Sequence, residues 1–549
     1  MSVSIAAAAR SESSAAASRF IGIPYRRFDG VERYDVLVIG SGIGGLGLAA
    51  LLAKIAGLRV LVLERHYTAG GFTHVFHRPG FEWDVGVHYV GQVHVKESQA
   101  ARLLDYLTEG RLAWNPMPDV YDRVIVDGLR FDYVTGKTRL REALVAAFPR
   151  EREAIDRYFT LVDRTIRRLS LFFAEKAVPP LAARLVGRGL RAPFLKLARR
   201  TTADVLADLH VSPELKAVLT AQWVDYGLPP GESSFGIHAI IAQHYFEGGA
   251  YPVGGASRIA ASLLPTIERA GGALVIDAAV DRILVDRGRA IGVRMSDGRE
   301  FRASAIVSDS GIRTTMALLP PGPSREVERI VERLRSVPPS AAHLCLYVGL
   351  ASSSMRLNAS NLLIHPTLDY DRNWARFAQD LNAPFPVLYI SFPSAKDPTY
   401  QARYPGHQTI EVVVPAPYEP FAAWKATQWK HRGGEYENLK KVLADRLLDD
   451  LYRYCPETRG SIVRSELSTP LSTRHFTSAP TGETYGLAHT PARFALRDLQ
   501  PRTPIRQLFL TGQDVATCGV MGALFGAAMT ASIMLRRNVV GVATKAAAS

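Results

Sequence analysis

The amino-acid sequence predicts an α/β protein in which a domain built on a parallel sheet is interleaved with an α+β domain. Three observations lead to this prediction. A complete βαβ unit lies near the N-terminus, a further strand and helix lie near the C-terminus, and strand patterns return between them. At 549 residues the chain is also too long for one simple core, so we expect two intertwined domains.

The first unit begins with the apolar run Tyr34–Ile39, which is typical of a strand buried on both faces of a parallel sheet. A glycine-rich loop follows at 40–45, and the next residues predict a helix over Leu46–Ile55. A second strand, Arg59–Leu63, ends at Glu64. This order predicts a Rossmann-type dinucleotide-binding unit.

Each glycine of the loop has a mechanical task. Gly40 permits the tight turn, Gly42 lets the backbone approach a pyrophosphate, and Gly45 allows close packing of the helix on the strand. Ile43 and Gly44 complete the loop and are assigned to the same contact. The helix N-terminus then offers free N–H groups and a positive dipole end to the phosphates.

Glu64 is placed to accept hydrogen bonds from the adenosine ribose hydroxyls. Its charge would repel a 2′-phosphate, which argues against NADP at this position. Arg65 follows it and is assigned to the same site.

Later glycines favour FAD over NAD. The pair Gly70-Gly71 lies where a long bound dinucleotide needs close backbone contact, and the strand Leu508–Leu510 leads to Asp514, which is suited to bond the ribityl or pyrophosphate region. A helix that begins near Gly519 would point its positive end at the flavin pyrimidine ring. The predicted cofactor contacts are completed by Val280, Gly512 and Gly522.

The pattern along the chain predicts a cofactor domain in three pieces, interrupted twice. Residues 96–247 are expected to be mainly helical. The predicted boundaries are a disordered leader at 1–32, FAD-binding pieces at 33–95, 248–317 and 495–540, substrate-domain pieces at 96–247 and 318–494, and a disordered tail at 541–549.

From Tyr34 to Leu535 the chain resembles the FAD-dependent superfamily of phytoene desaturases, carotenoid isomerases and retinol saturases, and most resembles the retinol saturase-like branch. The motifs that carry the resemblance are Gly70-Gly71, Phe81–Gly91, Trp223–Gly227, Tyr251–Gly255 and Thr511–Gly526. The resemblance implies an FAD-binding domain of the glutathione-reductase-like kind. Phe72 departs from the wider superfamily, in which an arginine often follows the glycine pair, and this weakens any analogy to amine oxidases.

The resemblance implies an enzyme that acts on C=C bonds of an apolar polyene or isoprenoid lipid, first of all a retinol saturase-like reductase. A carotenoid desaturase or cis/trans isomerase is the alternative, because the sequence does not set the direction of electron flow. A non-catalytic prenyl-binding protein, like Rab escort proteins, is an alternative of another class, and the retained Glu64 and Asp514 argue against it. Electrons would be exchanged with NAD(P)H, a quinone or a protein partner, since no second nucleotide motif is present.

The resemblance sets the segment 84–91 beside the isoalloxazine ring, so His88 and Tyr89 are the candidate proton donors. The alternative for His88 is that it only packs there. Four aromatic or imidazole side chains are expected in the wall of the substrate cavity: Tyr226, His244, Tyr245 and Tyr251. No metal site is predicted, because the histidines around His88 lack ligand spacing.

The net charge of +14 and the pI near 9.7 suggest an anionic partner. Ten basic residues lie between Arg164 and Arg200 against the single acid Glu175, interleaved with Leu and Phe. This pattern favours peripheral docking on a membrane, with a solvated basic surface as the alternative, and no nucleic-acid motif is present. The charge-free stretch Gly519–Leu535 is rich in Gly and Ala, which favours a buried helix. Three dispersed cysteines suit a reducing compartment, so a cytoplasmic location is expected.

Overall fold

The computed structural model describes residues 20–30, 33–177, 180–351 and 355–546, without the side chains of 177 and 180–184. Its strands, in chain order, are β1 Ile23–Pro24, β2 Arg33–Ile39, β3 Val60–Leu63, β4 Val75–Arg78, β5 Phe81–Asp84, β6 Val90–Gly91, β7 Trp114–Pro116, β8 Val120–Val126, β9 Leu129–Val134, β10 Gly249–Pro252, β11 Ala273–Ile276, β12 Val280–Asp286, β13 Arg289–Met295, β14 Glu300–Ser308, β15 Ala342–Ala351, β16 Asn361–His365, β17 Leu388–Ser391, β18 His407–Ala416, β19 Ile462–Ser468 and β20 Leu508–Leu510.

The α-helices, in chain order, are α1 Ile43–Ala56, α2 Gln99–Thr108, α3 Lys137–Ala147, α4 Arg152–Ala177, α5 Pro180–Ala198, α6 Thr202–Ala207, α7 Pro213–Thr220, α8 Phe235–Tyr245, α9 Arg258–Arg269, α10 Ile312–Ala317, α11 Arg325–Leu334, α12 Tyr370–Gln379, α13 Pro393–Lys396, α14 Tyr400–Arg403, α15 Gly434–Tyr454, α16 Pro470–Thr477, α17 Pro491–Ala495, α18 Gly519–Leu535 and α19 Val539–Ala546. Short 3₁₀ turns lie at Tyr25–Arg27, Gly71–Thr73, Pro149–Glu151, Ala221–Asp225, Glu419–Trp424 and Pro456–Thr458.

The first sheet has the order β1-β11-β3-β2-β14-β13-β12, and β20 also pairs with β14. The pairings among β1, β11, β3, β2, β14 and β20 are parallel, whereas β12 and β13 form an antiparallel extension. Strands from distant parts of the chain therefore meet in one Rossmann-type sheet, and the predicted fold class is confirmed. Their carboxyl ends share one edge, where ligands of such sheets bind.

Helix α18 is the charge-free stretch that the sequence predicts as a buried helix, and this prediction is confirmed. Leu524 of α18 is fully buried, and a Cβ on Gly47 of α1 would lie only 2.5 Å from its Cδ1 atom. Small residues thus let the two helices approach closely. Among the described residues no single helix has the length and apolar character needed to cross a membrane. Helices α18 and α19 meet that criterion only as a pair bent by 111°.

The second domain is built on a seven-stranded sheet of order β19-β15-β18-β17-β16-β8-β9. Strands β8 and β9 lie within the stretch 96–247, so the prediction that this stretch is mainly helical misses them. Both strands have alternating burial, and the parallel pairing of β8 with β16 is a long-range contact that the local pattern does not encode.

The predicted disordered ends need correction. Ile23 and Pro24 form β1 and pair with β11, so the leader 1–32 is ordered in this part. Residues 1–19 and 31–32 of the leader lie outside the described residues. In the tail 541–549, residues up to Ala546 belong to α19, whose Val539 and Ala543 are buried in the core. Apolar contacts with the first domain hold the tail in place.

The basic segment 164–200 forms α4 and α5, and only part of it reaches the surface. Lys176 is enclosed and donates hydrogen bonds to the carbonyl oxygens of Leu499 (2.7 Å) and Val515 (2.5 Å). Arg191 is buried, with Nε 3.4 Å from Oε1 of Glu175. These two basic residues of the segment therefore do not belong to its exposed surface, because α4 and α5 pack against the C-terminal part of the chain.

Candidate active site

The glycine-rich loop joins β2 to α1 and leaves the helix N-terminus open towards a cleft. Gly40 has a φ of +95°, which favours glycine, and a Cβ on Gly45 would lie 2.2 Å from the Gly40 carbonyl oxygen. A Cβ on Gly44 would lie 2.5 Å from Gly512 Cα. No side chain caps α1. The cleft is lined by Gly40, Gly42, Ile43 and Gly44, and Gly45 and Gly512 pack behind them.

Glu64 lies at the end of β3 and fixes the loop. One carboxylate oxygen accepts hydrogen bonds from the backbone N–H (2.9 Å) and the hydroxyl (2.7 Å) of Ser41. The other oxygen accepts from the backbone N–H of His66 at 2.7 Å. A carboxylate has about four acceptor sites, so capacity remains for a ribose hydroxyl. Arg65 lines the same cleft and donates to the carbonyl oxygen of His475.

The glycine pair Gly70-Gly71 closes the other side of the cleft. Both residues have positive φ, +118° and +55°, and a Cβ on Gly71 would lie 3.0 Å from Gly42 Cα. The two glycine-containing loops therefore touch backbone to backbone, which only glycine permits. Val280 lines the cleft as predicted, but Gly522 lines a neighbouring cavity instead.

Asp514 joins three segments of the chain at the carboxyl edge of the sheet. It accepts hydrogen bonds from the backbone N–H groups of Ile312 (2.9 Å) and Leu487 (3.3 Å). Its Oδ1 atom lies 3.5 Å from Nη1 of Arg493, which is 2% exposed. Asp514 lines the cleft. Arg493 gives no motif in the sequence and was missed.

Asp309 was also missed, although it follows β14 at the same carboxyl edge. A Cβ on Gly42, Gly44 or Gly512 would lie between 2.1 and 2.6 Å from an oxygen of its carboxyl group. Burial raises its pKa to about 8, so the group is mainly neutral at pH 7. A neutral carboxyl group beside the loop does not repel a phosphate. Its position after a buried strand is the signal that could have found it.

An aromatic cluster around His66 forms one end of the cleft. The His66 ring lies 4.0 Å from the Tyr67 ring, 4.6 Å from His74 and 5.2 Å from Phe476. Burial lowers the pKa of His66 to about 4, so its ring is neutral. Its Nε2 atom is buried without a hydrogen-bond partner among the described residues and lies in the lining of the cleft, so it is a candidate contact for a ligand.

A second cavity, of about 1530 Å³, adjoins the cleft. The two share a boundary formed by Gly86, Val87, Tyr485, Gly519 and Val520. The predicted residues His88, Tyr89, His244 and Tyr245 line this cavity, together with apolar side chains from α4, α18 and α19 such as Ile166, Phe173, Phe525 and Ile533.

The two other predicted cavity residues do not line it. The Tyr226 hydroxyl is buried 3.3 Å from Nδ1 of His238, and the Tyr251 hydroxyl donates to the buried carboxylate of Asp84. Both tyrosine hydroxyls bond to polar groups of the protein interior. In contrast to the prediction, neither residue lines the large cavity.

His88 contacts two buried titratable side chains, Glu411 and Lys396, on the side away from the cavity. Its Nδ1 atom lies 3.0 Å from Oε2 of Glu411, and its carbonyl oxygen accepts from Lys396 Nζ at 2.9 Å. Burial, together with Lys396, lowers the pKa of His88 to about 3. Burial also raises the pKa of Glu411 to about 8 and lowers that of Lys396 to about 7. The His88 ring is therefore neutral at pH 7.

Among the described residues no group of three or more His, Cys, Asp and Glu side chains has the geometry of a metal site. The three cysteines are free and buried.

Comparisons with known proteins support the Rossmann-type fold. Residues 38–107 match a family model described as an NAD(P)-binding Rossmann-like domain. A solved putrescine oxidase bound to putrescine superposes with a TM-score of 0.60 at 16% identity, covering 92% of this chain and 99% of that one, which supports the fold.

Two curated relatives extend the match over most of the chain. The all-trans-retinol 13,14-reductase of Rattus norvegicus is 37% identical over 92% of this chain and 86% of its own length. Prolycopene isomerase 1 of an Oncidium hybrid cultivar is 28% identical over 83% and 75%. The chain therefore belongs to the all-trans-retinol 13,14-reductase family, within the superfamily of flavin-dependent desaturases, isomerases and saturases.

Proposed function

We propose that the protein is an FAD-dependent reductase of C=C bonds in an apolar polyene or isoprenoid lipid, most similar in activity to the retinol reductases. One observation carries the proposal: the nucleotide cleft opens directly into an apolar cavity of about 1530 Å³. A polyene chain in this cavity would reach the end of the cleft at Gly519 and Val520. The relatives' activity supports the choice of substrate class.

The residues of the cleft fit FAD. A Cβ on Gly42 or Gly44 would collide with the carboxyl group of Asp309, so the glycine loop leaves no room for side chains. The N-terminus of α1 suits a pyrophosphate, and Glu64 has free acceptor capacity for a ribose. The unpartnered Nε2 of His66 suits the adenosine end. When bound, FAD supplies the two-electron chemistry. The side chains of the cavity wall exclude water, orient the polyene substrate and supply the proton.

The proposal is tested by anaerobic incubation of the dithionite-reduced protein with all-trans-retinol and a panel of carotenoids. A reductase yields products heavier by two hydrogens. A desaturase yields lighter products from the oxidised protein, and an isomerase yields products of unchanged mass. A purified protein with no flavin spectrum and no turnover would favour the non-catalytic lipid-binding alternative. Adding NAD(P)H or a quinol in place of dithionite identifies the electron donor.

His88→Gln is expected to reduce turnover by less than tenfold. The His88 ring is neutral and Nδ1 faces Glu411, so we assign it an orienting role rather than that of a cationic acid. Product formation by the variant is measured at equal flavin content. A loss of 100-fold or more would return His88 to the role of proton donor.

We further propose that the exposed part of α4 and α5 contacts an anionic membrane surface. Leu185 is 86% exposed, and Leu171 and Val186 are also exposed. Arg188 and Arg199, both on α5, also have exposed side chains, and α4 and α5 together are called the hairpin below. Apolar side chains flanked by arginines suit an interfacial segment.

Changing Arg188 and Arg199 to Gln and Leu185 to Ser should weaken binding to anionic liposomes on the order of 10-fold or more, because each basic residue contributes roughly 1 kcal/mol. Co-sedimentation across a salt series measures the effect. The matched control changes Arg325 and Arg335, two exposed arginines near α11, to Gln. Equal binding of both variants would show that the hairpin is only a solvated surface.

A further inference from the structure

Two carboxyl groups lie at the large cavity, the half-buried Asp225 in its wall and the buried Asp122 behind it, and a tyrosine joins them. The Tyr89 hydroxyl lies 2.9 Å from Oδ2 of Asp122 and 3.3 Å from Oδ2 of Asp225. Tyr89 and Asp225 line the cavity. Asp122 is fully buried in the protein interior. The three side chains therefore run from the core to the cavity surface.

The hydrogen bonds indicate which carboxyl group carries the charge. Asp122 accepts bonds from Asn361 Nδ2 (2.8 Å) and Gln222 Nε2 (2.8 Å), in addition to the bond from Tyr89. Burial raises the pKa of Asp122, but its three donors oppose that rise. Asp122 is therefore the more acidic of the two groups. The single proton of the Tyr89 hydroxyl is used in the shorter bond, so the hydroxyl oxygen can only accept from Asp225.

Asp225 has the environment of a neutral acid. The 3.3 Å contact with Tyr89 is the one polar contact that the described residues offer its carboxyl group. Burial, and secondarily the negative charge of Asp122, raise the pKa of Asp225 well above its usual range. An apolar site can hold a carboxyl group protonated at neutral pH and so keep it available as a donor.

We propose that the carboxyl group of Asp225 donates the proton that C=C reduction requires. The inference rests on the proposed function. The O–H bond of Asp225 breaks and a C–H bond forms at one alkene carbon, while the other carbon receives a hydride equivalent from the reduced cofactor. The two electrons come from an external reductant of the nicotinamide or quinol class. Asp225 is left as a carboxylate and regains a proton from water after the product leaves.

Asp225→Asn keeps the size of the side chain and its contact with Tyr89 but removes the acidic proton. Product formation from the dithionite-reduced protein should fall on the order of 100-fold or more. FAD content and reoxidation of the reduced flavin by O₂ should stay unchanged. In D₂O the wild-type product should carry one deuterium from the solvent. Asp449→Asn, the same change at an exposed carboxyl group on α15 away from the cavity, serves as the matched control.

Infrared spectroscopy adds a readout that needs no turnover. The wild-type spectrum should contain C=O bands of protonated carboxylic acids, those of Asp309 and Glu411 included. The difference spectrum between wild type and Asp225→Asn should isolate the acid band of Asp225, which shifts in D₂O. Turnover of this variant within threefold of wild type, or an unchanged acid band, would overturn the role of Asp225. A wild-type protein that keeps the band but reduces no polyene would instead reject the proposed function, and the donor role with it.

Discussion

Replacing Arg493 by Met is expected to lower the free energy of unfolding by about 3–5 kcal/mol, the usual cost of breaking a buried ion pair. The guanidinium group is buried and lies 3.5 Å from Asp514. It also donates to the carbonyl oxygens of Leu487 (2.6 Å) and Gln513 (2.7 Å). Methionine fills similar space but leaves these acceptors without a donor.

The shift is measured as the change in urea midpoint and thermal midpoint of the flavin-free protein, which separates folding from cofactor binding. Arg493→Lys keeps the charge without the planar fork, so an intermediate loss is expected. If Arg493→Met unfolds at the same urea concentration as wild type, Arg493 does not hold the three segments around Asp514 together.

Local patterns in the sequence were sufficient for the first sheet except β1, which lies in the predicted disordered leader. The run Tyr34–Ile39, the glycine loop and the strand Leu508–Leu510 each carry their own signal, since buried parallel strands are short continuous apolar runs. Strands β8 and β9 carry a weaker signal because one face of each is partly exposed, and β8 acquires its partner β16 from a distant part of the chain.

The residues of the candidate site also fall into two groups, those that a local motif predicts and those that only the tertiary structure brings to the site. Glycines and Glu64 could be found because a dinucleotide imposes their spacing. Asp309 could have been found from its place after a buried strand. Arg493 and Asp225 could not, because their roles depend on tertiary contacts with groups far along the chain. The sequence predicts Tyr226 in the cavity wall, yet its neighbour Asp225 in the motif Trp223–Gly227 is the residue that lines the large cavity. A motif locates a segment of the site, and packing decides which side chain of that segment faces the ligand.

Glu64→Ala is expected to raise the dissociation constant for FAD by about 10- to 150-fold. A hydrogen bond to a charged group contributes about 1.5–3 kcal/mol, and each 1.4 kcal/mol changes the affinity tenfold. The structure adds a second reason. Glu64 accepts from both polar groups of Ser41 and from the His66 backbone N–H, so its loss also releases the glycine loop that would hold the pyrophosphate.

Fluorescence titration of the flavin-free protein with FAD measures this constant directly. Glu64→Gln retains an acceptor oxygen but not the charge, so its effect should be smaller than that of alanine. Glu332→Ala, at an exposed glutamate on α11, should bind FAD like wild type. Wild-type affinity in Glu64→Ala would mean that the ribose does not lie at the end of β3. The cofactor would then have to bind in an orientation other than the one that places its adenosine end at His66 and its flavin end near Gly519.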